Sequence, residues 1–576
     1  MTTPPPRDDP RGRRVSPFGV DGVLVELPDL ATVRVLDERL RRAGIPGVVD
    51  VVPAARTVLV RGEPRARHAW GRAVADAART VTTDDPPAGP SRTVEVPVVY
   101  DGADLAEVAR LTGASVAEVV ARHLAGGQDG YRVAFGGFMP GFAYVVGLDP
   151  RLQVPRLDSP RTRVPAGAVA VAGEFTAVYP AATPGGWRLL GRTDLSMFDV
   201  ARGAQGAALL APGDVVRFVR AAPAPVRGSA PAPAPTSPPG TPAEPAPSPP
   251  RARVDPAGTA PSSTTPTLAF TVVDPGLLTL VEDRGRAGLA AVGVPRSGAA
   301  DPVALDRANR LVGNARGAAG LEVLLGGLVL TFHATTAVAL VGADPGADLD
   351  GVPVPVGRPV RVPAGATLTL GVPGHGLRTW LAVRGGVDVP RVLGSRSRDV
   401  LSGLGPPPLR AGDVLAWGAE LDGLPDAAGT PPGAAPGVPS GAATPSPPGT
   451  DVVELPALPG PRLDHLDDDG RDRLWRQEWD VTADSNRVAV RLDGRPLTRS
   501  GGGELASEGM VLGAVQLPHD GRPVLFGPDH PVTGGYPVVA VLTPAGVARA
   551  AQLRPGDRVR LTPPPDGGAN HPPDGT

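Results

Sequence analysis

The sequence predicts a mainly β protein with α/β parts, and three observations carry that reading. Two stretches more than three hundred residues apart have the same order of motifs. Gly167-Ala-Val169 leads through Val178, Tyr179 and Pro180 to Pro184-Gly-Gly-Trp187 and a strand-like run at 188–192; Gly513-Ala-Val515 leads through Leu525 and Asp529-His-Pro-Val-Thr-Gly-Gly-Tyr536 to Val538–Leu542. Each stretch then ends on a Pro-Gly-Asp turn and a closing strand, at 212–218 and 555–561, and Ala411-Gly-Asp413 repeats that close before Trp417. Self-similarity of this kind reports repeated architecture, so related β modules are expected, with function where they meet. Glycine (76) and proline (73) make up about a quarter of the 576 residues. They divide between turns and Pro/Ala/Ser/Thr stretches that cannot bury a core.

The elements follow in chain order. Residues 1–15 read as a disordered tail. Over 16–88 a small α/β domain is expected: Leu30, Val33, Leu36 and Leu40 keep a helical spacing that Gly44 stops, 48–52 and 57–60 read as a hairpin, and 66–81 as a second helix with Trp70 on its apolar side. Residues 89–220 open with a strand through Val94, Val96 and Val98. Two helices follow, the second starting on Ser115-Val-Ala-Glu118, a capping-box spacing, and 131–220 are β-rich. A Pro/Ala-rich linker covers 221–266. Residues 267–418 form the first β module of the second half, with one helix opened by Asp301-Pro302 and ended by Gly313. A Pro/Gly-rich linker at 419–450 leads to the last β module at 451–564, and 565–576 is a second disordered tail.

Composition excludes more than it assigns. The formal charge of −2 leaves no footprint for nucleic acid. The segment after Met1 has no apolar signal-peptide core, and no run is long enough to span a bilayer, so a cytoplasmic, bacterial protein is expected. There is no cysteine, and every one of the 57 basic residues is arginine. Without lysine the chain forms no Schiff base, has no Walker-A lysine and carries no attached biotin. An anion must be held by arginine forks or backbone N–H groups.

The densest candidate segment is Phe135-Gly-Gly-Phe-Met-Pro-Gly-Phe-Ala-Tyr144. Phe138, Pro140 and Phe142 suit a loop over a planar ligand, or an aromatic turn filling a core. Arg161 and Arg163 share one side of a strand and offer a carboxylate or phosphate fork, or plain surface charge. The Gly185-Gly186-Trp187 and Thr533-Gly534-Gly535-Tyr536 turns offer N–H nests for an anion, or tight hairpins. His123, near a helix end, and His530, after Asp529, are candidate acid/base or orienting groups, with the helix dipole a sufficient structural reason for His123. Glu282, Asp283, Arg286 and Ser297 offer a polar site, as does Asp344 at a strand tip, which is also the place of a plain turn. No His/Asp/Glu cluster has metal-ligand spacing.

Phe138-Met-Pro-Gly-Phe-Ala-Tyr144, Pro160-Arg-Thr-Arg-Val-Pro-Ala-Gly167 and Pro184-Gly-Gly-Trp187 resemble the B subunit of prokaryotic 5-oxoprolinase (the Pxp type, also the KipI or allophanate-hydrolase-subunit-1 family). Asp283-Arg-Gly-Arg286, Gly298-Ala-Ala-Asp301, Asn309-Arg-Leu-Val-Gly-Asn314, Gly342-Ala-Asp344, Leu393-Gly-Ser-Arg-Ser397 and Asp529–Pro537 resemble the C subunit, the KipA or carboxyltransferase-subdomain family. The chain is identified as a B–C fusion. The resemblance implies cyclophilin-like β barrels after the small α/β domain. It implies ATP-dependent opening of the lactam 5-oxoproline to L-glutamate, with Mg2+ accompanying ATP and a separate LamB/YcsF-like A component as partner. It also implies two alternatives: a carboxyltransferase component acting on urea or a similar amide with biotin on a separate carrier, and a regulatory protein that binds a histidine kinase. A homo-oligomer is a further expectation. Gly136-Gly137 stands where the resemblance expects a bulkier residue.

Overall fold

The computed structural model describes residues 12–82, 92–127, 130–159, 161–222, 268–425, 452–500 and 505–564. The two linkers and both tails therefore lie largely outside the described residues. Two of their edges are ordered. Arg14–Phe18 is already a strand, and the Arg13 guanidinium caps the end of the second helix through the Ala78, Arg79 and Val81 carbonyls. Residues 419–425 dock on the middle module, where Leu421 bridges Asn314 and Glu420 accepts from Arg396 at 2.7 Å.

The N-terminal unit is an antiparallel sheet in the order Arg14–Phe18, Gly22–Glu26, Thr57–Gly62, Val48–Pro53. Its central strands are apolar at almost every position because both faces are covered. Val23, Val25, Val58 and Val60 turn to helices Leu30–Ala43 and Arg67–Thr80, around buried Trp70. Phe18, Leu24, Val52 and Leu59 turn the other way and pack on the last barrel through Met510, Val511, Val532 and Val541. Asp29 caps the first helix and left-handed Gly44 ends it.

Thr93–Val98 and Val215–Arg220 pair in parallel as the first and last strands of a barrel. Its seven strands run Arg188–Arg192, Ala168–Ala172, Phe175–Val178, Ala143–Val146, Tyr131–Gly136, Val215–Arg220, Thr93–Val98, and the Val99–Arg192 bridge nearly closes the ring. The last barrel is closed and has the same order strand for strand: Val538–Leu542, Ala514–Gln516, Val524–Phe526, Ala489–Asp493, Trp479–Val481, Arg558–Thr562, Val453–Pro459. The internal repeat is thus one barrel built twice.

The middle module departs from that expectation. It is two sheets, of seven and five strands, packed around Phe270, Leu321, Leu330 and Leu381, and its closing strand Val414–Trp417 pairs antiparallel with Leu268–Pro275. What the three closes share is turn chemistry. Gly213, Gly412 and Gly556 have φ of 94, 88 and 91°, and Asp214, Asp413 and Asp557 each accept the N–H three residues upstream at 2.8–2.9 Å. A left-handed residue at that turn selects glycine, and the short carboxylate ties the turn down. Helix Pro302–Leu311, capped by Asp301, covers the five-stranded sheet over Trp380.

Candidate functional site

The four units converge on Asp529–Thr533, which crosses from Val524–Phe526 to Thr533–Gly534. Asp529 is fully buried and faces the middle module, accepting from Ser297 Oγ at 2.5 Å, the Val400 N–H at 3.1 Å and Arg487 Nε at 2.9 Å. His530 feels the charges of Arg61 and Asp21 in the N-terminal unit. Val532 fills the apolar contact with Phe18 and Leu59. Thr533 Oγ1 accepts the Phe138 N–H of the first barrel at 2.9 Å.

On the first-barrel side, the Tyr144 hydroxyl is buried beside the side chains of Ser507 and Thr533, and burial raises its pKa. An aromatic wall surrounds it: Phe135 stacks at 4.4 Å between centroids, Phe142 stands edge-on at 5.0 Å and Trp187 at 5.6 Å. Phe138 has φ 61° and Ser297 φ 54°. Left-handed backbone is costly for a bulky residue and persists where the surroundings impose it, and both residues lie where modules press together. The same pressure explains Gly136-Gly137. A Cβ at Gly137 would stand 2.5 Å from Thr533 Oγ1, and one at Gly136 would collide with the Ala291 carbonyl. Gly137→Val should destabilise the chain by about 1–3 kcal/mol through overpacking, read as a lowered denaturation midpoint.

On the middle-module side lies a buried charge network. Arg487 pairs with Glu322 and Asp529, donates to the Gly298 carbonyl at 2.7 Å, and has Nη2 3.3 Å from Glu282. Arg378 lies 3.2 Å from Glu322. Burial opposes the charge of Arg487, but Glu282, Glu322 and Asp529 hold its pKa well above the ordinary value. Burial likewise opposes ionisation of Glu322, yet Arg487 and Arg378 hold its pKa below the carboxylate range. Glu282 goes the other way: burial, with Glu322 and Asp529 adding to it, raises its pKa well above the usual value despite Arg487. Neither Glu282 oxygen makes a hydrogen bond. A small crevice opens beside this network, lined by Arg378, Asn486, Arg487, Phe526 and Ala551.

His530 is nearly buried, and burial, then Arg61, lowers its pKa to about 4. Its Nδ1 lies 2.8 Å from the Pro531 carbonyl, which only accepts. The neutral ring therefore carries its proton on Nδ1 and leaves Nε2 as an acceptor.

Other candidates sit elsewhere. His123 is wholly buried in the first barrel's core, between the Tyr100 hydroxyl at 2.7 Å and Thr176 Oγ1 at 3.0 Å, and burial lowers its pKa to about 3. It is a satisfied core group, closed to substrate. Arg161 is spent on Asp104 and the Trp187 carbonyl, and Arg163 is exposed. Neither glycine pair makes a nest of left-handed residues. Thr183–Gly185 pairs with Arg161–Val164, and Thr533–Gly534 with Glu508–Gly509. The Gly186 carbonyl accepts from Leu157 and that of Gly535 from Leu505. A Cβ at Gly185 would stand 2.6 Å from the Tyr179 hydroxyl, and one at Gly534 2.8 Å from Gln516 Nε2, so close approach selects these glycines. Asp344 is exposed and caps its own turn through the Gly346 N–H. Tyr536 turns its ring to His519. Asp283 organises a loop, accepting from Ser395, Ser397 and the N–H groups of Gly285 and Arg396. Arg286 holds the same loop through the Val392 and Ser397 carbonyls, its Nη1 without a hydrogen bond. Pro140 lies in the Phe138 loop, where the Gly141 N–H donates to Val292 O at 2.9 Å. Glu282, a candidate for the polar site, does lie in this network; Tyr144, Ser507, Arg487 and Glu322 are the groups at the junction that residue-by-residue reading misses.

Among the described residues at these places, ATP and Mg2+ find no matching donor set. The two glycine turns present no phosphate nest, and among the described residues no three His, Asp or Glu gather to hold a metal.

Two family models match the chain: carboxyltransferase domain, subdomain C and D, over residues 13–209, and subdomain A and B over residues 292–563. The B subunit of 5-oxoprolinase from Escherichia coli O157:H7 is 41% identical over 212 residues, 35% of this chain and 93% of that protein. The C subunit of 5-oxoprolinase from Escherichia coli K12 is 36% identical over 299 residues, 50% of this chain and 89% of that protein. Urea amidolyase of Lachancea kluyveri is 33% identical over 312 residues, 51% of this chain but 17% of that protein. The crystal structure of TTHA0988 superimposes with a TM-score of 0.74 at 36% identity, covering 94% of this chain and 99% of that one.

Proposed function

This chain belongs to the carboxyltransferase-domain family, with counterparts of the 5-oxoprolinase B and C subunits on one polypeptide, and from that premise we propose that it is the fused B–C component of a 5-oxoprolinase, binding the lactam for opening to L-glutamate with a separate A component. The observation that supports this reading is the convergence of both halves on Asp529–Thr533. An aromatic wall with few polar groups suits a small planar ring. The Tyr144 and Thr533 hydroxyls would orient the lactam carbonyl, and the acceptor Nε2 of His530 its N–H. Arg156, whose field reaches both Tyr144 and Tyr179, would face the carboxylate. The lactam is resonance-stabilised, so phosphorylating its carbonyl oxygen would create the leaving group; the described residues of the junction offer ATP no phosphate nest, and we assign that step to the partner.

The test is ATP-dependent release of glutamate from 5-oxoproline by the full chain with a LamB/YcsF-like A component. Tyr144→Phe should lower kcat/KM about tenfold, the order of one neutral hydrogen bond, with the folded fraction unchanged. The similarity to urea amidolyase favours a second reading, carboxyl transfer to urea or a like amide from biotin on a separate carrier. Carboxyl transfer from carboxybiotin without glutamate release would establish it in place of the first. Association with a histidine kinase and turnover of neither substrate would instead make the chain regulatory.

A further inference from the structure

We propose that the exposed two-stranded flap of the first barrel, Arg161–Val164 with Thr183–Gly185, is the surface on which the separate partner protein docks; this rests on the reading above for the identity of that partner. Both barrels insert a two-stranded flap between the same barrel strands: Arg161–Val164 with Thr183–Gly185 in the first, Glu508–Gly509 with Thr533–Gly534 in the last.

The last barrel's flap is closed over. Leu59 stands 2.8 Å from where a Cβ on Gly509 would lie, the Ala55 N–H donates to Ser507 O at 3.3 Å, and the Phe138 N–H donates to Thr533. Glu508 and Thr533 are buried as a result. In the first barrel Thr162, Arg163 and Pro184 are exposed, and no described residue covers them. A short sheet with open edges invites a further strand or loop, and the molecule shows on its other copy what such a flap accepts.

Charge selects the occupant. Of the four arginines in residues 151–164, Arg151 pairs with Asp149 beside the flap. Arg161 is paired with Asp104, whereas Arg163 is exposed and makes no ion pair among the described residues. The occupant should therefore present carboxylates. The flap is also continuous with the four-unit junction, because Trp187 at its base touches Tyr144, which reaches Thr533. A protein seated there would close over the candidate site.

The experiment titrates the purified full chain with the purified LamB/YcsF-like A component by calorimetry at low and high salt, alongside sedimentation of the chain alone. The unmodified chain should bind, more weakly as salt rises. The double variant Thr162→Trp/Arg163→Glu should bind at least tenfold more weakly with an unchanged melting midpoint, since both side chains are exposed. Arg361→Glu, exposed on the middle module, should bind as the unmodified chain does. The proposal is overturned if the double variant binds normally, if the unmodified chain does not bind, or if it dimerises through the flap so that a second copy is the occupant. Binding lost in the double variant, without glutamate release from the unmodified pair, would sink the 5-oxoprolinase reading and leave the docking surface standing. Normal glutamate release by the double variant would do the reverse.

Discussion

Arg487→Met should cost the folded chain about 3–5 kcal/mol, the penalty for leaving buried carboxylates without their cation. Among the described residues Arg487 is the one guanidinium that reaches Glu322, Asp529 and Glu282 together, and it also donates to the Gly298 carbonyl. Arg378 remains near Glu322 in the variant, but Asp529 keeps only Ser297 and the Val400 N–H. Methionine fills similar volume, so the loss is electrostatic and not a cavity effect. Because these contacts join the last barrel to the middle module, the variant should unfold at lower urea in the second half before the first barrel melts. A single transition at the original midpoint would show that the network contributes nothing. Arg487→Met combined with Glu322→Gln and Asp529→Asn should recover part of the loss, since neutral partners remove the uncompensated charge.

How much of this was legible in the sequence depends on whether the signal was local or long-range. Local signals read well. The helix at 30–43 announced itself by spacing and Gly44, the Ser115/Glu118 capping box formed with both hydrogen bonds, and Asp301 capped the helix it precedes. The repeated motifs translated into one strand order used twice. The same local evidence misled at Ala411–Trp417, because a Gly-Asp turn is selected by its own left-handed backbone and says nothing of the sheet it closes. Site residues divided similarly. Asp529, His530, Thr533, Ser297 and Phe138 come together because their motifs sit at module boundaries. His123 was singled out by its type, but only the tertiary structure shows it satisfied inside a core. Arg487 and Glu322 are 165 residues apart, and each reads alone as an ordinary charge. Only the fold brings them together, where burial makes the pair obligatory.

Glu282→Gln should change the pH dependence of stability in a window of its own. The folded-state pKa of Glu282 is raised, by burial above all, with Glu322 and Asp529 acting in the same sense. A raised group contributes stability that is complete below its unfolded value of about 4.3 and is lost as pH climbs through the folded value. Glutamine has no proton to lose, so stability of the variant relative to the unmodified chain should improve with rising pH, by about 1.4 kcal/mol per unit inside that window, and then level off. Glu322 acts in the opposite sense. Its pKa is lowered, so its contribution is present above the unfolded value and fades as pH falls through the folded one. Glu322→Gln should therefore separate from the unmodified chain chiefly through what it loses at neutral pH, and converge toward it in acid. Urea denaturation of the three proteins between about pH 2 and pH 9 reads both effects, Glu322→Gln at the acid end and Glu282→Gln above it. Parallel curves for Glu282→Gln and the unmodified chain would mean that Glu282 is ionised in the fold and fully compensated by Arg487, and the network would then hold one more negative charge than a protonated Glu282 allows.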